Sequence, residues 1–204
     1  MSPTSIRLAI PLFHGFDELD VVGPFEVLRA AEVGGAPLHT ELVSFDDDRV
    51  FVGGHGLTVT TDAALDDSWD WVVVPGGAWA ARGPRGAWAE IQRGLLPARL
   101  AELWRAGKNM ASVCTGSMIL AAAGITRGRR AVSHHVALEA LAASGAVVVS
   151  ERVVDDGNLI TAGGVTSGID LALHLVARIA GPEAAAKGAS RLEYQPQAAF
   201  RPGV

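Results

Sequence analysis

Short apolar runs alternate with segments of helical character along almost the whole chain. The runs are rich in valine, isoleucine and leucine and are too short for buried helices; they cover residues 6–13, 38–45, 71–74, the stretch before Cys114 and residues 159–162. Strands that are apolar on both sides are typical of parallel sheets, because helices cover both faces of such sheets. The alternation therefore predicts an α/β fold: a three-layer α/β/α sandwich with a mostly parallel sheet.

Turn-forming residues divide the remaining sequence. Gly23-Pro24 predicts a helix start, because proline is tolerated in the first turn. Residues 50–61 alternate around Gly53-Gly54, which predicts a small hairpin, and the helical residues 87–106 are expected to break near Pro97. Further predicted elements are a strand at 130–134, a helix at 136–143, strands at 147–154 and 159–162 around the turn at 155–158, a helix at 169–179, another from Pro182, and an extended tail.

The sequence contains no internal repeat, low-complexity tract or linker. We therefore expect one domain over residues 1–204, with a core of about residues 6–190 and a C-terminal tail at 191–204.

Composition excludes several classes of function. The 204 residues are 49% hydrophobic and 19% charged, with a net charge of −5. Without a basic surplus to neutralise phosphates, nucleic acid is not an expected partner. No apolar run has the length of a membrane span, and the first residues lack the pattern of a signal peptide. One cysteine allows no internal disulfide and fits a reducing compartment, so we expect a cytoplasmic protein.

That single cysteine, Cys114, lies between an apolar run and a helical run of small residues. This context predicts a sharp strand-to-helix turn that presents the side chain at the sheet edge, near the positive end of a helix dipole. A thiol there is favoured as thiolate, its reactive form. Cys114 is therefore a candidate nucleophile, although a free cysteine is also often a small buried hydrophobic residue. Gly116 is expected to keep one side of the turn open to a small ligand.

Two other segments are expected to meet Cys114: the loop after the first strand, which carries Asp20, and the turn at Gly76 and Gly77. Ligands bind beyond the carboxyl ends of the strands in open α/β sheets, where all three segments lie. The turn at Gly76 and Gly77 offers backbone N–H groups that could stabilise a developing negative charge, and Thr115 beside the cysteine offers a hydroxyl. Asp20 precedes apolar residues, so it could keep its proton and act as an acid or hold the thiol. Asp20 could equally be an acidic residue that only stabilises a helix N-terminus; its neighbours Asp17 and Glu18 are expected to be solvated.

Histidines and metal ligands give weaker signals. His134 ends a predicted strand and could lie near the same sheet edge, next to the residues that contact a ligand. His135 and Glu139 have helical spacing but are two residues only, which predicts a surface pair. His174 lies in an apolar helix and is expected to be packed. No spacing resembles a metal site.

These motifs resemble those of the ThiJ/PfpI superfamily, which includes class I glutamine-amidotransferase-like folds with a flavodoxin-like sheet. The resemblance spans nearly the whole chain. It rests on ELDVVGPFEVL at 18–28, VPGG at 74–77, SVCTGS at 112–117, and residues 128–134, 151–158 and 161–170. Within the superfamily the chain is most similar to isocyanide hydratases, because of the Leu-Asp-x-x-Gly-Pro start, the Cys-Thr-Gly-Ser elbow and the tail LEYQPQAAF at 192–200.

The resemblance implies a homodimer and a cofactor-free reaction on a small electrophile. Cys114 would attack the terminal isocyanide carbon to form a thioimidate, and Asp20 would manage the proton and water steps to give an N-substituted formamide. Thr115, with the backbone of Gly76 and Gly77, would shape the pocket.

Two features bear on the alternatives. PfpI-type members carry histidine directly after the cysteine, whereas this chain has Thr115, which disfavours peptidase or amidotransferase chemistry. Isocyanide-hydratase relatives commonly carry Thr-His-Trp where this chain has Ser133, His134 and His135. A ligand-sensing protein and a thiol-based stress protein, either a redox sensor or a glyoxalase-like enzyme, remain alternatives, since the superfamily is functionally mixed.

Overall fold

The computed structural model describes residues 5–198, which form a seven-stranded, mostly parallel sheet with helices on both faces and two small two-stranded sheets. The strands are β1 (Ile6–Pro11), β2 (Leu38–Ser44), β3 (Val50–Val52), β4 (Thr58–Thr60), β5 (Ala63–Ala64), β6 (Trp71–Val74), β7 (Asn109–Ser112), β8 (Arg130–Ala131), β9 (Val147–Val148), β10 (Val153–Asp155) and β11 (Leu159–Ala162). The helices are α1 (Glu18–Val33), α2 (Ala87–Arg93), α3 (Leu95–Arg105), α4 (Gly116–Ala122), α5 (Leu138–Ala143), α6 (Ser167–Ala180) and α7 (Pro182–Arg191), with a 3-10 turn at His135–Ala137.

The central sheet has the order β10-β11-β7-β6-β1-β2-β5, and only β10 runs antiparallel to its neighbour. Without the two edge strands the order is second, first, third, fourth and fifth along the chain, as in doubly wound flavodoxin-like sheets. The predicted fold class is thus confirmed. Strands β1, β6 and β7 are adjacent and parallel, so the loops that follow them meet at one edge.

Two helical layers bury the sheet. Helices α1, α6 and α7 pack together on one face, and α2, α3, α4 and α5 pack on the other. Strand β6 is buried at every position, which explains why it reads as a continuous apolar run rather than an alternating one. None of the helices within residues 5–198 combines the length and apolarity that crossing a membrane requires.

The prediction that a helix starts at Gly23-Pro24 is wrong. Helix α1 begins at Glu18, because the Asp17 side chain accepts the Leu19 N–H at 3.2 Å and caps the first turn. Pro24 therefore lies inside the helix. Gly168 of α6 packs against it, since a Cβ there would lie only 3.1 Å from Pro24 Cγ. The Gly-Pro pair marks a close helix crossing and not a helix terminus.

Other boundaries differ by a few residues. The break in the helical segment at 87–106 falls at Gly94, which adopts the left-handed conformation, whereas Pro97 lies in the first turn of α3. The predicted strand at 130–134 pairs only over Arg130–Ala131, and the run at 147–154 divides into β9 and β10. The hairpin at 50–61, the turn at 155–158 and the helix from Pro182 are confirmed. The last residues of the predicted tail, 199–204, lie outside the described residues.

Candidate active site

Three loops meet at the carboxyl edge of the sheet where β1, β6 and β7 end. The first leads into α1 and carries Asp20 in the first helical turn. The second contains Gly76 and Gly77 after β6, and the third is the elbow between β7 and α4 with Cys114. The structure therefore brings together the three segments that the sequence places at one edge.

Cys114 forms a tight elbow with a backbone φ of 55°, a conformation that few side chains other than glycine adopt. Its N–H donates to the Gly163 carbonyl at 2.8 Å, and its own carbonyl accepts the hydroxyls of Ser117 at 3.1 Å and Ser133 at 3.0 Å. These contacts hold the strained turn in place. The side chain is 6% exposed, so the thiol is reached only through the cavity above it.

Asp20 lies beneath the thiol with no exposure to solvent. Its Oδ2 accepts the Gly76 N–H at 2.9 Å, while Oδ1 has no hydrogen-bond partner among residues 5–198. The Cys114 thiol is close enough to lower the pKa of the carboxyl, although the two groups do not form a standard hydrogen bond. Both positions expected for Asp20 therefore apply: it lies in the first turn of α1, and it is a neighbour of the thiol.

Burial controls the protonation of this pair. It raises the pKa of the Asp20 carboxyl to about 8, with the nearby Asp17 carboxylate adding to the effect. It also raises the pKa of the Cys114 thiol to about 12, with Asp20 as the second cause, while the N–H groups of Val165 and Thr115 act in the opposite direction. The expectation of a resting thiolate is therefore wrong. Loss of solvent outweighs the elbow amides, and both groups hold their protons near neutral pH.

The backbone N–H groups of Gly76 and Gly77 are already occupied. Gly76 donates to Asp20, and Gly77 donates to Thr115 Oγ1 at 3.0 Å. They position these two side chains rather than forming a free oxyanion site. The expectation for Gly116 also fails, because a Cβ there would lie 2.1 Å from the Val74 carbonyl, so its missing side chain serves close packing against β6. Gly77 and Thr115 do line the cavity, whereas Gly76 and Gly116 do not.

A cavity of about 360 Å³ opens above the thiol. Its walls are mainly apolar and are formed by Asp17, Gly77, Ala78, Trp79, Ala80, Ala81, Cys114, Thr115, His134, Val136 and Val165. Sequence reasoning missed Asp17, expected in solvent, and Val165, which carried no signal beyond a glycine-rich turn. Glu18 also departs from expectation, since its carboxylate accepts the backbone N–H of His55 at 2.6 Å.

His134 belongs to this cavity, as its position at a strand end suggests. Burial lowers its pKa, and the adjacent His135 lowers it further, so the ring is neutral at pH 7. Its Nδ1 accepts the Val136 N–H at 3.3 Å, which leaves the ring proton on Nε2. A neutral ring of this kind can donate a hydrogen bond into the cavity. His174, by contrast, is buried on α6 and paired with Asp155 at 2.7 Å, as expected for a packed histidine.

Metal ligation has no basis in the described part of the chain, where no three histidine, cysteine, aspartate or glutamate side chains are grouped in a way that could hold an ion. What the site offers is a thiol, a hydroxyl and a neutral imidazole around a small apolar space, with a protonated carboxyl beside the thiol. This set suits addition of a thiol to a small electrophile with proton transfer from a neighbouring acid.

Comparison with known proteins gives consistent results. The chain is 33% identical to an isonitrile hydratase of Pseudomonas putida over 203 residues, covering 98% of this chain and 83% of that protein. It is 32% identical to the deglycase PYRAB04690 of Pyrococcus abyssi, covering 76% of this chain and 89% of that protein. Among solved structures, a ThiJ/PfpI family protein of Pseudomonas syringae superposes with a TM-score of 0.79 at 28% identity, covering 98% of this chain and 79% of that one.

The family comparison covers most of the molecule. The DJ-1/PfpI family matches residues 6–178, which include all three loops of the site and every strand of the central sheet. The fold, the elbow and this match agree, and we conclude that the chain belongs to the DJ-1/PfpI family.

Proposed function

We propose that this chain is an isocyanide hydratase, which adds water to an isocyanide to give an N-substituted formamide. The observation that carries the proposal is the pairing of a fully buried carboxyl, Asp20, with the elbow thiol of Cys114 under a small apolar cavity. Similarity to the isonitrile hydratase of Pseudomonas putida supports the same reaction class. The family also contains deglycases, so the reaction has to be tested directly.

The first step adds the thiol across one carbon. The terminal carbon of an isocyanide takes up both a nucleophile and a proton, so no free thiolate is needed if an acid lies beside it. Asp20 donates its proton to this carbon as Cys114 Sγ forms a bond to it, and the thiol proton passes to the Asp20 carboxylate. The product is a neutral thioimidate on Cys114, with Asp20 protonated again.

The second step adds water and releases the enzyme. Water attacks the thioimidate carbon, Asp20 protonates the imine nitrogen, and the resulting carboxylate takes a proton from the water. The tetrahedral adduct then collapses: the carbon–sulfur bond breaks, sulfur recovers the hydroxyl proton, and the N-substituted formamide leaves. Thr115 holds its orientation through Gly77, and neutral His134 faces the same space.

Thr115 in place of histidine is consistent with this scheme. A cysteine protease or amidotransferase activates its thiol with an adjacent base, whereas the group beside Cys114 is a carboxyl that holds its proton near neutral pH. An acid-assisted addition needs that proton. We also propose that the enzyme acts without a cofactor, because the thiol, the carboxyl and the attacking water supply every proton and nucleophile of the two steps. We propose further that it acts as a cytoplasmic homodimer.

The direct test follows formamide formation from an aryl isocyanide. We expect Cys114→Ala to abolish turnover and Asp20→Asn to reduce kcat by about 10²–10⁴-fold, the usual range for loss of an acid–base group. Activity of the unaltered protein should fall as the pH rises through the pKa of Asp20 near 8. Glu90→Gln is the matched control, because Glu90 is also a buried carboxyl with a raised pKa but, unlike Asp20, does not act on the Cys114 thiol.

Three results would contradict the proposal. Turnover that survives in Cys114→Ala would show that Cys114 is not the nucleophile. Absence of turnover with both aryl and alkyl isocyanides would exclude isocyanide hydration as the reaction. If the same protein instead turned over a glycated substrate, deglycase chemistry would be favoured. Equal losses in Asp20→Asn and Glu90→Gln would indicate a general effect of removing buried acids.

A further inference from the structure

We propose that Arg152 is a positioning residue for Cys114. Its guanidinium group holds the loop that directs the Val165 N–H at the thiol, and the docked chain segment 194–198 holds Arg152 in turn. The proposal concerns the reactivity of the thiol itself, so it stands or falls independently of which substrate the site takes.

The loop between β11 and α6, residues 163–166, lies directly against the elbow. The Gly163 carbonyl accepts the Cys114 N–H at 2.8 Å, and the Gly163 N–H donates to the Arg152 carbonyl at 3.0 Å. Val165 lines the cavity beside the thiol, and its N–H lies close enough to the sulfur to lower the pKa of Cys114. An N–H in this position favours the charged sulfur only while the loop keeps its place.

The Arg152 side chain donates hydrogen bonds to this loop and to the helix that follows it. One amino group donates to Thr166 Oγ1 at 3.0 Å, at the residue that follows Val165, while Nε donates to Asp170 Oδ2 at 2.6 Å. The planar guanidinium group thus contacts both the end of the loop and the first turn of α6. A lysine in this place could not make both contacts with fixed geometry.

Asp170 connects Arg152 to the C-terminal segment. Its carboxylate is only 1% exposed. Besides Arg152 it accepts the Tyr194 hydroxyl at 2.7 Å and the backbone N–H groups of Gln197 at 2.7 Å and Ala198 at 3.2 Å. A carboxylate buried in this way depends on its donors, because losing one leaves a buried oxygen with an incomplete set of hydrogen bonds. The docked segment is therefore part of the support of the Val165 loop.

The other charged and titratable groups near the thiol do not belong to this network. They are Asp20 and Asp17 at the start of α1 and His134 in the cavity wall. Thr166→Val changes no charge and touches none of these three groups, so a change in thiol reactivity in that variant reports on the loop.

The test measures the rate at which iodoacetamide alkylates the protein between pH 7 and 9.5. Cys114 is the only cysteine, so the reaction has one site. Below the pKa of the thiol the rate follows the fraction of thiolate, and we expect Arg152→Met to slow it about tenfold at every pH, which corresponds to one unit of thiol pKa. Thr166→Val removes the loop contact and no charge, and we expect it to slow alkylation about threefold.

Arg178→Met is the matched control. Arg178 is also a partly buried arginine paired with an aspartate, Asp155, but it contacts neither the loop nor segment 194–198. We expect its alkylation profile to match that of the unaltered protein. The proposal is overturned if Thr166→Val leaves the profile unchanged, a result that remains decisive if Arg152→Met does not fold. It is also overturned if Arg178→Met slows alkylation as much as Arg152→Met.

Discussion

A carboxyl with no access to solvent weakens the fold in which it is buried, and Asp20 is such a group. Only one of its oxygens has a hydrogen-bond partner within residues 5–198, which is the Gly76 N–H. A carboxylate buried in this way would be expected to have a full set of donors, as Asp170 does. The incomplete partnering of Asp20 keeps its proton in place, and we relate this cost to its proposed role as an acid.

This argument predicts how stability depends on pH. Between 3.8, the ordinary pKa of the carboxyl, and about 8, the folded protein holds a proton on Asp20 that the unfolded chain has lost. The free energy of unfolding therefore falls as the pH rises through this interval, and below 3.8 the penalty is absent. We expect Asp20→Asn to raise the melting temperature by several degrees at pH 8 and to leave it unchanged at pH 4.

Thermal unfolding followed by circular dichroism at the two pH values checks this. Glu26→Gln, an exposed carboxyl on the same helix, is the control and should show no such difference. A melting temperature for Asp20→Asn below that of the unaltered protein at pH 8 would contradict the expected burial penalty.

The sequence was informative about which site residues meet but not about their protonation. Asp20 and Cys114 could be placed at one sheet edge, because each follows a predicted buried strand. Whether the thiol is charged depends on how completely the loops exclude water, and burial overrides the amides of the elbow. Val165 could not be found for a similar reason, since its contribution is a backbone N–H, which any residue type supplies.

At the scale of elements, the antiparallel edge strand β10 is held by side chains as well as by its pairing with β11. Asp155, at the end of β10, contacts His174 Nε2 at 2.7 Å and accepts from Arg178 at 3.0 Å, both on α6. Burial acts to raise the pKa of Asp155, but these contacts and the Gly157 N–H outweigh it and hold the pKa below 3.8. The charged carboxylate therefore joins the edge of the sheet to the helix that covers it.

We expect Asp155→Asn to lower the free energy of unfolding by about 1 kcal/mol at pH 7, because charge-assisted contacts are lost at a partly buried site. A depressed pKa stabilises the fold above 3.8 and ceases to do so as the pH falls through the pKa of the folded protein. The difference between variant and unaltered protein should therefore shrink at pH 3. Urea unfolding at both pH values measures it, with Asp47→Asn in an exposed turn as control. A difference that is the same at both values would show that the charge is not responsible.

At the scale of the whole molecule, the alternation of apolar runs and helices correctly predicted the layers and the parallel sheet. Both follow from local hydrophobicity, since strands buried on two faces need covering helices. Local hydrophobicity does not give the strand order, because β11 reaches β7 across some 45 residues that contain α4 and α5. Only the resemblance to a family with a flavodoxin-like sheet implied that order. The start of α1 was misplaced for a related reason. Gly23 and Pro24 lie where α1 packs against α6, and local sequence contains no information on that contact.

The proposed homodimer is a property of the whole molecule, and an apolar depression of about 250 Å³ on α1 suggests where it forms. Leu19, Val22, Val27 and Ile169 line it together with Leu192 and Tyr194 of the C-terminal segment, and Val22 is 38% exposed. Apolar surface that is continuous across two helices and the C-terminal segment is typical of a surface that associates.

Light scattering after gel filtration should give twice the chain mass of 21.2 kDa, and the melting temperature should rise with protein concentration. Val22→Glu should reduce the mass to that of one chain, because it buries an unpaired charge, whereas Val33→Glu, at an 84% exposed position on the same helix, should not. A single-chain mass for the unaltered protein would refute the homodimer, and an unchanged mass for Val22→Glu would exclude this surface as its interface.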